Sequence, residues 1–598
     1  MDAGTLSIRN IFGQDIRYVV PLFQRPYVWD RERQWEPFWD DVRMVAERVE
    51  RKEPVVAHFF GAMVLEQVSN PTGHLETRWI IDGQQRLTTL QLLMEAFADI
   101  CEELEKEKLG KALRKLTRND DPMSTDPDEE LKVWPTNSDQ DHFRRVMQAS
   151  GPSDVKESYG RPAGASSVGH QIADAYLYFH AQILEWLQAD DAVSDDRFTA
   201  LYTAIREHVK LVVIDLGGDD DPQMIFETLN ARGTPLLPSD LVKNYLFHRA
   251  KLENVPLDPL YDQYWRPFDE DANYWRQELG RGHARRARID LYLQYYLTAK
   301  TATEIPVGRL YASFQDYASD GPQDGVQPLL ESLNDYASIY RSFDNFDPDT
   351  RIGLFFERLS IMGAMTAYPF LLELFARHGD DEKELIRVLE DVESFLLRRM
   401  VSQMNTRGYN RLFIELVDRL KDEGGSPTER VRTYLLEGDS ENRRWPRDAE
   451  FKREWTNQPL YNRLAQARLR MIFEGLERTL HTGMTEKISF NQKLTIEHLM
   501  PRSWHEHWPL PGTSSQEEER SQREVLLHTI GNLTLVTDKL NPSLSNGPWP
   551  AKREKILKHS ALNLNRPLAK LDEWTEEKIM ARSADLFDAA RTIWPCPE

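Results

Sequence analysis

The sequence predicts an α+β protein of several domains: a mixed α/β N-terminal domain, an all-helical middle, and a small C-terminal domain of short strands closed by helices. Three observations carry that prediction. The chain has 598 residues, far past the size at which one hydrophobic core keeps growing. Its apolar pattern changes character twice. Short runs between turns (1–250) give way to helical repeats (251–484) and then to short runs again (485–598). An apolar content of 40%, with fifteen tryptophans, marks a folded globular chain and not a disordered one.

Two cysteines, Cys101 and Cys596, lie far apart, which argues against a disulfide framework and for a reducing, cytoplasmic compartment. The opening MDAGTLSIRNIFGQ has no charged segment followed by an apolar one, so no signal peptide is read. No window reaches eighteen uninterrupted apolar residues, so no membrane span is read either. The net charge of −22 speaks to solubility and steering, and says little about any single face. From residue 490 onward fourteen basic residues meet fifteen acidic ones, so the acidity lies upstream. Segment 551–570 sets Lys552, Arg553, Lys555, Lys558, Arg566 and Lys570 against Glu554 alone. Such runs are often solvated helix faces. If DNA is bound, its phosphates are sought first at Lys552, Arg553, Lys555 and Lys558. RGHARRAR (281–288) is a second basic run.

In chain order, RYVVPLF reads as a strand and WDRERQWEPFWDDVRMVAERV as a helix with Trp and Phe three to four apart. HFFGAMVLEQV and RWIIDG are strands separated by the turn-rich SNPTGHLE. QQRLTTLQLLMEAFADICEELEKE is an amphipathic helix, and VKLVVIDL (209–216) is a strand buried on both sides. Residues 149–168, rich in Gly, Ser and Pro, read as a mobile insertion. The acidic loop GGDDDP (217–222) reads as a helix cap in preference to a cation site. From 251 to 484 nearly every segment has an apolar stripe at helical spacing. No Walker A loop is present.

WIIDGQQRLTTL (79–90) is a strand, a polar turn and a helix start. A helix N-terminus exposes unpaired N–H groups, Gly83 allows the tight turn, Arg86 offers a fork of donors, and Thr88 adds a hydroxyl. Asp82 either caps the helix or holds a metal-bound water. Upstream, VPLFQRPYVW (20–29) sets Gln24-Arg25 among apolar and aromatic residues, where an arginine needs a partner. A third stretch, NARGTPLLPSDLVKNYL (230–246), ends one helix and starts another. These three motifs, in this order, resemble the ParB/sulfiredoxin-like N-terminal domain of modification-dependent DNA restriction enzymes, phage-defence proteins that include the type IV enzymes. The resemblance covers roughly 5–250. It implies a nucleotide-binding, often NTP-hydrolysing pocket formed by Gln24, Arg25, Asp82, Gly83, Gln84, Gln85 and Arg86. Asn230 and Arg232 match a family motif with no assigned role.

The second constellation lies in LTIEHLMPRSWHEHWP (494–509) and HTIGNLTLVTDKLNPSLSN (528–546). A lone histidine in an apolar stretch is more often a satisfied core residue than a catalyst. Its companions change that reading. Glu497-His498-Leu499-Met500-Pro501, then Asn532, then Asn541 resembles the HNH endonucleases of the ββα-metal fold. The pairing of IEHLMPRSW with IGNLTLV also resembles the nuclease domain that accompanies the N-terminal module above. The resemblance implies His498 as general base, Asn532 as the group that orients it, and Glu497 and Asn541 as ligands of a divalent metal, Mg²⁺ or Mn²⁺. Glu497 stands where Asp is commoner. His505 and His507 could be extra ligands but read as structural, and His528 reads as packing. With no Cys-x-x-Cys pair for zinc, the domain is expected to rest on its core and on Trp504 and Trp508.

Together these readings give an endonuclease for modified phage DNA, regulated by an NTP-binding N-terminal domain. Double-strand cutting by a single-metal site would favour two copies acting together. The alternative is a nucleotide- or DNA-binding regulatory protein whose C-terminal domain does not turn over.

Overall fold

The protein is described from a computed structural model covering residues 2–597 apart from 23, 69–74, 121–126, 190–194, 218–236, 281–284, 321–324, 423, 482–493 and 513. Asn230, Arg232 and most of GGDDDP therefore lie outside the described residues. Packing divides the chain into two units, residues 1–291 with 310–331, and residues 292–309 with 332–598. Residues 251–484 are shared between them. The whole is mixed α+β and mostly helical, with a small sheet. Among the described residues no helix is long and apolar enough to cross a membrane.

The first unit is built on six strands: β1 (Asp2–Ser7), β2 (Ile16–Val19), β3 (His58–Gln67), β4 (Glu76–Asp82), β5 (Val133–Trp134) and β6 (Val209–Leu216). Their order is β1-β6-β3-β4-β2-β5. β6 runs parallel to β3, and β4 parallel to β2, while β3 and β4 are antiparallel. VKLVVIDL is thus a central strand, but its burial alternates along the chain. Around the sheet stand α1 (Ile8–Phe12), α2 (Glu36–Glu50), α3 (Gln84–Glu103), α4 (Glu107–Thr117), α5 (Asn137–Gln148), α6 (Pro152–Ser158), α7 (Gln171–Leu187) and α8 (Asp195–Thr203).

The helix expected to be amphipathic, α3, is buried on all sides from Gln84 to Cys101 except at Arg86. It can be so because its buried carboxylates are paired. Arg114 and Arg118 bond Glu95, and Arg114 also bonds Asp99, whose second oxygen accepts from Tyr176. Within 149–168, α6 buries Val155, and the Asp174 carboxylate accepts from the Ser167 hydroxyl and the Val168 N–H. The helix α9 (Pro238–Leu252) starts from Leu237, whose N–H is held by the Asp240 carboxylate.

A short hairpin, β7 (Glu278–Leu279) with β8 (Arg286–Ala287), closes this part of the first unit. The second unit is largely helical until β9 (Leu494–His498), which pairs antiparallel with β10 (Leu533–Thr537). α10 (Gln516–Leu527) lies between the strands, and α11 (Trp549–His559) and α12 (Glu576–Ile593) follow them. Trp504, Trp508, Trp549 and Trp574 pack with Leu499, Met500 and Val536 in one core. Gly531 lies so close to α12 that a Cβ there would stand 2.1 Å from the Ile579 carbonyl oxygen. That close approach is why the turn before β10 reads Gly-Asn.

Candidate functional site

In the first unit, the strand-to-helix turn between β4 and α3 brings the motif residues together, with different tasks. Gln24 donates to the Ile81 carbonyl at 2.9 Å. Gln85 accepts from Val28 N–H at 2.9 Å and donates to the Pro26 carbonyl at 3.0 Å. Those two glutamines, with Gln84 buried beside them, fasten segment 24–28 to the turn. Gly83 sits at φ +101°, and a Cβ there would lie 2.9 Å from Met63 Cβ. No side chain caps α3, so Asp82 is not its cap. Instead Asp82 faces Arg86 across 3.5 Å, and Arg86 donates to the Ala62 carbonyl at 2.7 Å.

Arg25 is the odd member. It is half-buried and makes no hydrogen bond or ion pair with any described residue. Burial pushes its guanidinium pKa down, opposed by the charges of Asp240 and Asp82. Arg276, which carried no sequence signal, also faces this region and bonds Asp240 at 2.8 Å. A cation with no hydrogen bond or ion pair among the described residues could take an anion, although Asp82 and Asp240 already share the region.

In the second unit, β9 ends at Glu497-His498. Glu497 lies opposite Thr534 and His498 opposite Leu533 on β10. Asn541 donates through Nδ2 to Thr495 Oγ1 (3.0 Å) and to the Ile496 carbonyl (3.1 Å), which leaves its side-chain oxygen without a partner among the described residues. Thr495 and Glu497 share a face of β9 by the two-residue period of a strand, so Asn541 joins the Glu497 side. Two oxygen donors of this kind suit a hard divalent cation that completes its shell with water and phosphate. No group of three or more His, Cys, Asp or Glu side chains clusters as a metal site among the described residues.

Lys552 is placed otherwise than expected. It is buried, and its ammonium donates to Glu497 Oε1 and to the His498 carbonyl, both at 2.6 Å. Surrounded in this way, it has no surface to offer a phosphate. Of its neighbours, Arg553 is tied to the Leu571 carbonyl and Asp572, while Lys555 and Lys558 are exposed. Burial raises the Glu497 carboxyl, with Lys552 opposing, and lowers the Lys552 ammonium, with Glu497 opposing.

Asn532 is also placed otherwise. Its side chain, fully buried, accepts from Met500 N–H (2.8 Å) and Trp574 Nε1 (2.9 Å) and donates to the Met500 and Leu527 carbonyls (both 2.9 Å). It braces the backbone just after His498 and leaves the imidazole alone. The imidazole meets His528 instead, with Nε2 3.3 Å from His528 Nδ1. Tyr461 packs its ring 4.4 Å from that of His498. Burial first, then the charges of His528, Arg502 and Lys552, push the His498 pKa down to about 3, so the ring is neutral near pH 7. His505 stacks on Trp504 and His507 pairs with Glu506.

The comparisons with known proteins bear on both places. Residues 8–247 match the N-terminal domain of the GmrSD restriction endonuclease, and residues 445–589 match the C-terminal domain of these enzymes. The chain belongs to the GmrSD restriction endonuclease family. It is accordingly a type IV, modification-dependent restriction enzyme, a DNA endonuclease acting on modified DNA in phage defence. No curated protein matches the chain. The GmrSD C-terminal match begins well upstream of β9 and takes in Tyr461, a residue with no motif to announce it. His528, read as packing, and Arg502, read not at all, are the other neighbours of His498 that sequence reasoning missed.

Proposed function

We propose that the chain hydrolyses phosphodiester bonds of modified phage DNA at Glu497-His498, in the cytoplasm and with a divalent metal. We further propose that a nucleoside triphosphate, bound and hydrolysed at Arg25, Asp82 and Arg86, regulates the cutting. The observation that carries the first reading is His498, a buried neutral imidazole ending a strand in a restriction-endonuclease domain. A neutral ring can take a proton from water. The resulting hydroxide oxygen forms a new bond to phosphorus as the bond to the departing sugar oxygen breaks, and that oxygen recovers a proton. Glu497 and Asn541 would hold the metal, which supplies charge neutralisation at the phosphate when bound. Arg502, exposed and close enough to depress His498, offers a fixed positive charge at the same place. The ββα-metal (HNH) and ParB-like folds remain part of this reading, as does the pairing of two copies for a double-strand cut.

The nucleotide reading rests on Arg25, whose charge lacks a protein partner among the described residues. The test is cleavage of matched plasmids, phage-modified against unmodified, with Mg²⁺ or Mn²⁺ and with or without NTP, beside His498→Ala. Cutting that needs the metal and His498 and responds to modification and NTP supports both readings. Cutting by His498→Ala at the wild-type rate removes the first, and indifference to every NTP removes the second.

A further inference from the structure

A general-base imidazole works only if one nitrogen keeps a lone pair toward water while the other is held as N–H by a fixed partner. Asn532 cannot be that partner. An asparagine side chain has two acceptor sites and two donor hydrogens, and all four are taken by Met500, Leu527 and Trp574. The neighbour that does face His498 is His528, Nδ1 to Nε2, at 3.3 Å.

We infer that His528 is the positioning residue of His498: its Nδ1 accepts the proton of His498 Nε2, which leaves the Nδ1 lone pair of His498 free for water. The inference rests on the reading of His498 as the general base. Two further observations support it. His528 follows directly on α10, and the helix end that carries it is itself pinned, because Asn532 donates to the Leu527 carbonyl. Tyr461 donates its backbone N–H to the His528 carbonyl at 3.1 Å, stacks on the His528 ring and sets its own ring edge-on, at 65°, to that of His498.

His528→Leu removes the acceptor, whereas His528→Asn keeps a side-chain oxygen near the place of Nδ1. Cleavage of the phage-modified plasmid by the full chain should lose kcat by roughly 10–100-fold in His528→Leu, the usual cost of losing a group that orients a working histidine. KM for DNA and the unfolding midpoint should stay at wild-type values, and His528→Asn should recover most of the loss. In ¹⁵N-histidine-labelled full chain, with His498→Ala assigning the signal, His498 should be the Nε2–H tautomer in the wild type and mixed in His528→Leu. A wild-type kcat in His528→Leu overturns the inference. So does a His498 Nδ1–H tautomer, or a loss of kcat that tracks unfolding and is not recovered by Asn. Wild-type cutting by His498→Ala would instead remove the general-base reading on which the inference stands.

Discussion

Lys552 Nζ lies 2.6 Å from Glu497 Oε1 and 2.6 Å from the carbonyl oxygen of His498, in the interior of the C-terminal domain. A buried ammonium fixes the acid and the backbone of the histidine at once. Its removal strands a carboxylate without its counter-charge, a change that costs about 3–5 kcal/mol when a buried pair is broken from one side. Lys552→Met should therefore lower stability by about that much. Lys552→Met with Glu497→Gln should cost clearly less than the sum of the two single changes. Chemical unfolding of the four proteins measures this, and simple additivity would refute the pairing.

The same geometry divides the basic run on α11. Lys555 and Lys558 are exposed, whereas Lys552 is spent inside. If this helix meets DNA, Lys558→Ala should reduce the slope of log affinity against log salt by about 1 for the phosphate that its ammonium no longer neutralises. A Lys552→Met protein that still binds should leave the slope unchanged. Fluorescence anisotropy over a salt series separates the two outcomes.

How far the sequence could be read differs between elements for physical reasons. Short apolar runs bounded by turns marked β3, β4 and β6, and helical spacing marked α2 and α3, because burial imposes such patterns directly. That α3 is buried all round was not legible, since it depends on Arg114 and Arg118 reaching Glu95 from another helix. Glu497, His498, Asn532 and Asn541 stood out through their resemblance to the HNH endonucleases. Their partners did not, because Tyr461 approaches from a distant segment and because a lysine in a basic run looks alike whether it faces solvent or a buried glutamate. Two of the three glutamines expected to contact a ligand, Gln24 and Gln85, use their amides on backbone at Ile81, Pro26 and Val28. Only tertiary packing separates those roles.

Arg25 stands half-buried with no protein partner among the described residues, and burial depresses its pKa. Asp240 and Asp82 offset part of the cost of burying that charge, and a bound anion would offset more of it. Arg25→Ala should unfold at the wild-type temperature or above it, while losing the stabilisation that added NTP gives the wild type. Thermal unfolding with and without NTP tests this, with Arg419→Ala, a change in the other unit, as a control that should keep the shift. An unchanged NTP shift in Arg25→Ala would exclude the arginine from the pocket.

Asp139 holds the segment behind Arg25 through its carboxylate, which accepts from Tyr27 N–H at 2.6 Å. Burial pushes its pKa up to about 7, above the usual carboxyl value of about 3.9. Between those limits the folded chain keeps a proton that the unfolded chain has released. The Asp139 contribution to stability is therefore greatest below the lower limit and is lost as pH rises to about 7. Asp139→Asn retains an acceptor for Tyr27 and cannot ionise. Relative to the wild type it should be the more stable protein at pH 8, by about 1–3 kcal/mol given the usual cost of a poorly satisfied buried group, and nearly equal at pH 4.5. Unfolding midpoints of the two proteins across this range decide it: a difference that does not grow with pH would mean that Asp139 is already ionised in the folded chain.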